Sequence, residues 1–385
     1  MFEDKKTTWL FYTFVFLFTL HITPAIYINS SYLSQFMSTS AVSLTYGIAS
    51  LLTIFGILTM RARLKHFGNY KTFMGGLVLE IVALLLLIFS NSVIPAFVSF
   101  ITLFVAHTLL FINLDIFLER NTPNGNTGTV RGWYLTAINA AFIVGPFLSS
   151  IFLAGDDYKQ VYIFILFLLF PILFMASELF SEFKDAPYDR IRLVGAYKKL
   201  KQNVDIYSTL MSDFILRFFY AWMIIYVPIY LHTYQGFTLS EVTLILSVAL
   251  IPFIIIQSFA GNLADQKYGE KEMLTLGFVV MAVFTGLISF IQSDNISLWI
   301  ALLFMTRVGA AMVEIMTETH LFKRIDSSDF SVISLYRIIR PAAIILGTLL
   351  GTLFLFIVSF NMLFLILAGI VLYGIRYSLT LKDTR

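Results

Sequence analysis

Ser181-Glu-Phe-Lys184-Asp-Ala-Pro-Tyr-Asp-Arg190-Ile-Arg192-Leu-Val-Gly-Ala-Tyr-Lys198-Lys199-Leu-Lys201-Gln-Asn-Val-Asp205 is the one long polar connection in this chain. On either side of it the sequence reads as apolar runs of about 20 residues, the length a helix needs to cross the hydrocarbon of a bilayer. Six precede it: Trp9 to Asn29, Ser40 to Met60, Lys71 to Ser90, Val93 to Leu118, Val130 to Ala154 and Tyr158 to Phe180. Six follow: Ile206 to Leu231, Val242 to Asn262, Met273 to Ile291, Ile296 to Phe322, Phe330 to Phe360 and Asn361 to Leu379. The pattern predicts an all-α polytopic membrane protein of twelve spans, with a six-helix bundle at 1–180, a linker at 181–205 and a second six-helix bundle at 206–385.

Composition agrees. Of 385 residues, 58% are hydrophobic and 13% charged, with 40 Phe and a mean hydropathy of +0.85. A soluble domain carries about 25% charged residues, so this much apolar surface has no single aqueous core to hide in. Cysteine is absent, which excludes disulfide frameworks, thiolate metal sites and cysteine nucleophiles. The net charge of +3 is too small to suggest a nucleic-acid binder, and the basic residues lie in short loops. No cofactor is expected, and the lipid bilayer and a small-molecule substrate are the expected partners of a chain expected to act as a monomer.

Placement of charge orients the chain. Of the 26 Lys and Arg, Lys159 stands alone on one side, Arg217, Arg307, Arg337 and Arg340 fall inside spans, and the rest gather in the loops and termini of the opposite side. The positive-inside rule then predicts that both termini are cytoplasmic, as an even number of spans requires, in a multi-pass protein of the plasma membrane. Lys5 and Lys6 precede the first run, which is too long for a signal-peptide core and is expected to remain as a helix. Pro24, Pro146, Pro171, Pro228, Pro252 and Pro341 lie within spans and predict kinks there.

Sliding the second half over the first by 201 positions places the loop that holds Arg61, Arg63, Lys65 and Gly68 beneath the loop that holds Gly261, Asp265, Lys267 and Gly269, and of these residues Gly68 and Gly269 coincide and are identical. The loop after the eighth run, Gly261-Asn-Leu-Ala-Asp265-Gln-Lys267-Tyr-Gly269-Glu-Lys271, resembles the loop signature of the major facilitator superfamily, a glycine, an aspartate four later, a glycine and then basic residues. Trp222 to Leu231, Gly236, Glu241, Pro252 and Gln257 resemble the family's seventh and eighth spans. In the first half Met60 and Leu64 replace the signature's glycine and aspartate, and Gly145-Pro146 resembles the Gly-Pro motif of the drug-antiporter branch, with Ser149 and Ser150 where small residues belong. The resemblance implies two pseudo-symmetric bundles that enclose a substrate site and open to either side in turn. It also implies a cavity lined by the first, fourth, seventh and tenth helices, which nominates His21, Tyr27, His107, Asn113, Arg217, Tyr220, Trp222 and Arg307 for substrate and Asp213 and Glu314 for a coupling proton.

Ionisable groups at span depth are costly and face a partner or a cavity. Asp213 and Arg217 are one helical turn apart, and Arg307, Glu314 and Glu318 fall on one stripe. Two readings follow. In one, Gly261, Asp265, Lys267, Gly269, Glu318, Arg324, Arg337 and Arg340 form a gate, with Glu314 paired to Arg337 and no substrate touched. In the other, an arginine among Arg217, Arg307 and Arg340 binds an anionic substrate group, and Asp213 or Glu314 carries a proton. An arginine itself keeps its proton at any relevant pH. Glu80, on the third run, has no account at this level.

No phosphate-binding loop, H-E-x-x-H or G-x-S-x-G stretch occurs, and His21, His66, His107, His232 and His320 show no metal-ligand spacing. Secondary, proton-coupled transport of a small organic solute is therefore the expected activity, and no enzyme activity or metal site is expected. The alternatives are proton-driven multidrug efflux, which predicts an aromatic cavity with few fixed charges, and a non-transporting membrane enzyme or sensor, which predicts a reactive cluster near the headgroups.

Overall fold

The computed structural model describes residues 5–121, 127–153, 157–185, 203–256, 269–324 and 330–382. Among them the chain is helical, with no strand. In order the helices are α1 (Lys5–Leu20), α2 (Asn29–Ser34), α3 (Thr39–Ile88), α4 (Val93–Asn121), α5 (Thr127–Phe152), α6 (Tyr158–Phe180), α7 (Val204–Ile229), α8 (Leu239–Ala249), α9 (Glu270–Leu287), α10 (Ile296–Arg324), α11 (Phe330–Leu355) and α12 (Met362–Ser378). Ten stretches among the described residues are helices long and apolar enough to cross a membrane, and Met362–Ser378 is a shorter apolar helix. Their outward faces carry large apolar side chains such as Phe55, Phe167 and Phe174, each at least 65% exposed, as lipid contact demands.

Helix ends follow local chemistry. Asn203 caps α7 by accepting from the N–H groups of Asp205 and Ile206, and Asp157 caps α6 through Lys159 N–H. Thr238 and Glu241 form a reciprocal capping box before α8, with Thr238 N–H to Glu241 Oε2 at 2.9 Å and Glu241 N–H to Thr238 Oγ1 at 3.3 Å.

The prolines act unequally. The first run is not one helix: α1 stops at Leu20, a short 3-10 turn covers Thr23–Ala25, and α2 resumes at Asn29. The break packs on α5 at Gly145, where a Cβ would overlap the Thr23 side chain. Thr23 Oγ1 donates to the Ala141 carbonyl at 2.9 Å and Ser149 Oγ to the Pro24 carbonyl at 2.6 Å, so the serine replaces a hydrogen bond that the broken helix lacks. Pro228 is followed by a π-helical turn at Tyr230–Tyr234, and α8 ends at Ala249 just before Pro252. Pro146, Pro171 and Pro341 sit inside continuous helices.

α3 carries the second and third runs together, and Gly68 separates them with φ 78 and ψ 168. Gly269, which precedes α9, has φ 93 and ψ 163. Both lie in a backbone region that essentially only glycine enters, and they are the two glycines that the 201-residue offset superposes. Asp185 stands over the first of these turns: its carboxylate accepts from Asn69 N–H at 2.9 Å, and a Cβ on Gly68 would overlap it.

Contacts cluster the chain into two compact units, Met1–Ser38 with Ile48–Asp189 and Thr238–Ser247, and Thr39–Gly47 with Arg190–Phe237 and Val248–Arg385. In the first, Phe14, Phe73, Phe117 and Phe180 form a fully buried aromatic core from α1, α3, α4 and α6, with Phe117 and Phe180 stacked at 3.9 Å. The start of α8 joins it through Ser240 Oγ to the Ser150 carbonyl at 2.5 Å and Ser247 Oγ to the Ile143 carbonyl at 2.8 Å. In the second, α7 is the central helix. As residue numbers rise along α7 they fall along α10, through Thr209 with His320, Arg217 with Glu314 and, past the end of α7, Tyr230 with Trp299, which makes the two helices antiparallel neighbours. The start of α3 joins this unit through Ser43 Oγ, 2.6 Å from Tyr226 OH.

Substituting Gly269→Ala, or Gly68→Ala, is expected to cost about 1–3 kcal/mol through backbone strain and to lower the thermal midpoint of the detergent-solubilised protein. Gly369→Ala, whose added Cβ meets nothing within 4 Å, is the control and should leave the midpoint unchanged or slightly raised.

Candidate functional site

Among the described residues each unit holds a buried cluster of ionisable side chains. In the second unit the centre is Arg217, on the face of α7 toward α10. Its Nε donates to Asp213 Oδ1 at 3.1 Å, one turn earlier on the same helix, and its Nη1 donates to Glu314 Oε1 on α10 at 2.8 Å. Its Nη2 reaches the Tyr336 hydroxyl on α11 at 3.4 Å and lies 3.9 Å from Glu318 Oε1. The planar guanidinium uses its fork to hold three helices together, a geometry that an ammonium cannot copy. Asp213 is 1% exposed and Glu318 much more open, so the inner members of this network have exchanged water for one another.

Tyr220 extends the network. Its hydroxyl donates to Glu314 Oε2 at 3.4 Å, its ring lies 5.7 Å from the Arg217 guanidinium and its face meets Phe253. Arg307 lies two turns before Glu314 on α10 and close enough to Tyr220 to act on it electrostatically. It is 2% exposed, yet its partners are the Thr306 hydroxyl, 3.0 Å from Nη1, and the ring of Phe219, 5.4 Å from the guanidinium carbon. Among the described residues no carboxylate forms an ion pair with it. Of two buried arginines on facing helices, one is saturated by carboxylates and the other rests on a hydroxyl and a π-face.

The first unit holds His21 on the turn after α1, Glu80 on α3 and His107 on α4. His21 Nε2 lies 3.0 Å from Glu80 Oε2, and His107 Nδ1 lies 3.6 Å from Glu80 Oε1. Glu80 and His21 are 1% and 2% exposed, His107 20%. The rings of Phe18 and Phe111 wall the group. Glu80, left without a role by sequence reasoning, is the residue that joins the two nominated histidines. Spacings of 59 and 27 residues gave no signal that the three meet.

The other nominated residues divide. Trp222 is fully buried and donates Nε1–H to the Gly347 carbonyl at 2.7 Å, and Tyr27 is buried at 5% exposure. Asn113 is tied to Asn69, with its Nδ2 donating to Asn69 Oδ1 at 2.7 Å and Asn69 Nδ2 donating to the Asn113 backbone carbonyl at 3.0 Å. Glu314 takes Arg217 as a partner. Arg340 is exposed at the α11 surface, although its charge still reaches Asp213. Gly269 forms the turn described above, Arg324 and Arg337 lie on α10 and α11 with side chains outside the described set, and Gly261, Asp265 and Lys267 lie outside the described residues.

The sequence matches the family described as the Major Facilitator Superfamily over residues 8–317 and again over 209–382. Two solved structures are similar throughout. A nucleoside transporter, NupG, shares 11% identity at a TM-score of 0.76, covering 98% of this chain and 100% of its own. An aspartate-to-alanine mutant of NupG shares 14% at 0.73, covering 97% and 99%. No curated protein matches the chain in sequence. At such identities the likeness is one of fold.

Arg217→Gln strands Asp213 and Glu314 as buried anions and is expected to destabilise the detergent-solubilised protein by about 3–5 kcal/mol. Arg340→Gln, at an exposed position, should change it by about 0–1 kcal/mol. Adding Asp213→Asn to Arg217→Gln should recover part of the loss, and equal melting of the single variants would mean that the network carries no stability.

Proposed function

Because the chain belongs to the major facilitator superfamily, a family of membrane transporters, we propose that it is a secondary active transporter of a small organic solute that carries an anionic group, coupled to protons and working by alternating access. The observation that carries the reading is Arg307, a buried guanidinium without a carboxylate partner among the described residues, beside a second arginine that two carboxylates already satisfy. A cation in low dielectric draws an anion strongly, and the attraction is largest where water is excluded. A carboxylate or phosphate on the solute supplies that anion, and the fork of Arg307 can grip it with two parallel hydrogen bonds. Phe219 and Tyr220 beside it offer ring faces to the rest of the solute.

Arg217 has a different task. It holds Asp213 and Glu314 together, and when the bundles rearrange, a carboxylate that loses the guanidinium becomes the group that takes a proton. Solute on Arg307 and proton on Glu314 are then linked through Tyr220, which touches both neighbourhoods. The bundles 1–180 and 206–385 rock about this point, the linker 181–205 lies in the cytoplasm with both termini, and the basic loops around Gly68 and Gly269 latch that face. The plasma membrane is the proposed location.

Uptake into proteoliposomes under an imposed inward proton gradient tests the reading, with monocarboxylates, phosphorylated sugars, amines and nucleosides as solutes. Nucleosides are included because the two similar structures are of a nucleoside transporter. Anionic solutes should be taken up, and Arg307→Ala should lower that uptake at least tenfold, about 1.4 kcal/mol of lost interaction. Asp213→Asn or Glu314→Gln should retain exchange while losing dependence on the gradient. Uptake of an uncharged nucleoside at a rate that Arg307→Ala leaves unchanged would overturn the anion assignment.

A further inference from the structure

We infer that His21, Glu80 and His107 form a binding site for one divalent transition-metal ion of the zinc class, inside the first unit and apart from the transport chemistry assigned to the second. The three residues come from the turn after α1, from α3 and from α4, and one ligand atom of each lies within 4.8 Å of the others.

The hydrogen bonding shows how the ligands are aimed. His21 Nδ1 bonds to the Phe18 carbonyl. A carbonyl only accepts, so Nδ1 carries the hydrogen and the neutral ring turns the lone pair of Nε2 toward Glu80. A lone pair and a carboxylate oxygen 3.0 Å apart repel unless something positive lies between them. A backbone carbonyl on one imidazole nitrogen and a cation on the other is the arrangement that fixes metal-binding histidines.

Glu80 supplies the independent sign. Its side chain is 1% exposed, and Oε1 is buried with no hydrogen-bond partner. The nearest basic atom, His107 Nδ1, is 3.6 Å away, too far for a hydrogen bond. Around a four-coordinate zinc, bonds of 2.0–2.2 Å to nitrogen and oxygen place neighbouring ligand atoms roughly 3.3 Å apart. The separations here are of that size, 3.0 Å from His21 Nε2 to Oε2 and 3.6 Å from His107 Nδ1 to Oε1 of the same carboxylate. A proton alone satisfies the first gap and leaves the second open; a metal ion satisfies both. Two imidazoles and one carboxylate suit zinc, cobalt or iron rather than calcium or magnesium, which take oxygen. His107, one-fifth exposed, marks the side from which an ion and a fourth ligand such as water would arrive.

The test needs no substrate and no activity. The purified full chain, prepared without a polyhistidine tag, is titrated with Co2+ in detergent and followed by visible absorption, then challenged with Zn2+. One equivalent should bind, with bands of a low-coordinate nitrogen and oxygen site that zinc abolishes. Glu80→Gln and His107→Gln should each weaken binding at least tenfold, while His66→Gln and His232→Gln leave it unchanged. Melting curves identify variants that fail to fold, and His107→Gln, at the more open position, remains readable if Glu80→Gln does not fold. No Co2+ binding by the unmodified protein, or affinity in Glu80→Gln and His107→Gln equal to that of the unmodified protein, overturns the assignment. Because the readout is independent of uptake, loss of this site and failure of the transport reading are separate results.

Discussion

A charge buried away from water must be matched by another group of the chain, and that constraint arranges the interior of both units. In the second, the guanidinium of Arg217 is the keystone: it reaches Asp213 on its own helix, Glu314 on α10 and Tyr336 on α11. These contacts are directional in a way that packing of leucine and phenylalanine is not. Between helices in lipid there is no hydrophobic gain from association, since lipid tails are as apolar as the side chains. The polar bonds and close packing therefore decide which helices are neighbours and in which register.

The same logic reaches the backbone. Where the first run breaks, Ser149 bonds to the Pro24 carbonyl, Thr23 bonds to the Ala141 carbonyl of α5, and Gly145 removes the side chain that would block them. α9 and α10 approach closely at Gly277 and Gly309, where a Cβ on Gly309 would meet the α9 backbone at 2.5 Å. Small residues at such crossings let dispersion act over the whole length of both helices. An arginine forked across α7 and α10 needs neighbours held to within a fraction of an ångström, and α9 behind α10 provides that support.

The architecture was legible in the sequence because it rests on local signals. Apolar length sets each span, and the 201-residue offset between Gly68 and Gly269 reappears as the same glycine-only backbone at both positions. The Asp213 and Arg217 pair was legible too, as helical periodicity places residues four apart on one face. What escaped were contacts between distant helices. The reach of Arg217 on α7 to Glu314 on α10 was missed, because depth along a helix was readable and rotation about its axis was not. The first run read as one helix since Pro24 signals a kink, while the extent of the break depends on what α5 presents to it. Glu80 and its two histidines share no spacing rule, and three chemically ordinary residues became a cluster only through the fold.

Similarity of fold does not carry similarity of site, and the two clusters show why. A bundle of this kind tolerates any interior charge that finds compensation, so different chains can place their ions at different heights and on different helices without altering the helices themselves. Compensation is complete at Arg217, where carboxylates supply more negative charge than one guanidinium needs. Among the described residues it is incomplete at Arg307 and at Glu80, one with a hydroxyl and a ring for company, the other with an oxygen that accepts no hydrogen bond. Buried groups left short of partners are retained at a cost in stability, and a ligand that completes them recovers that cost on binding. The opposite signs of the two, a cation in one unit and an anion in the other, make them complementary tests of the same principle: the proposed ligand of the first is a negatively charged solute and that of the second a positive ion.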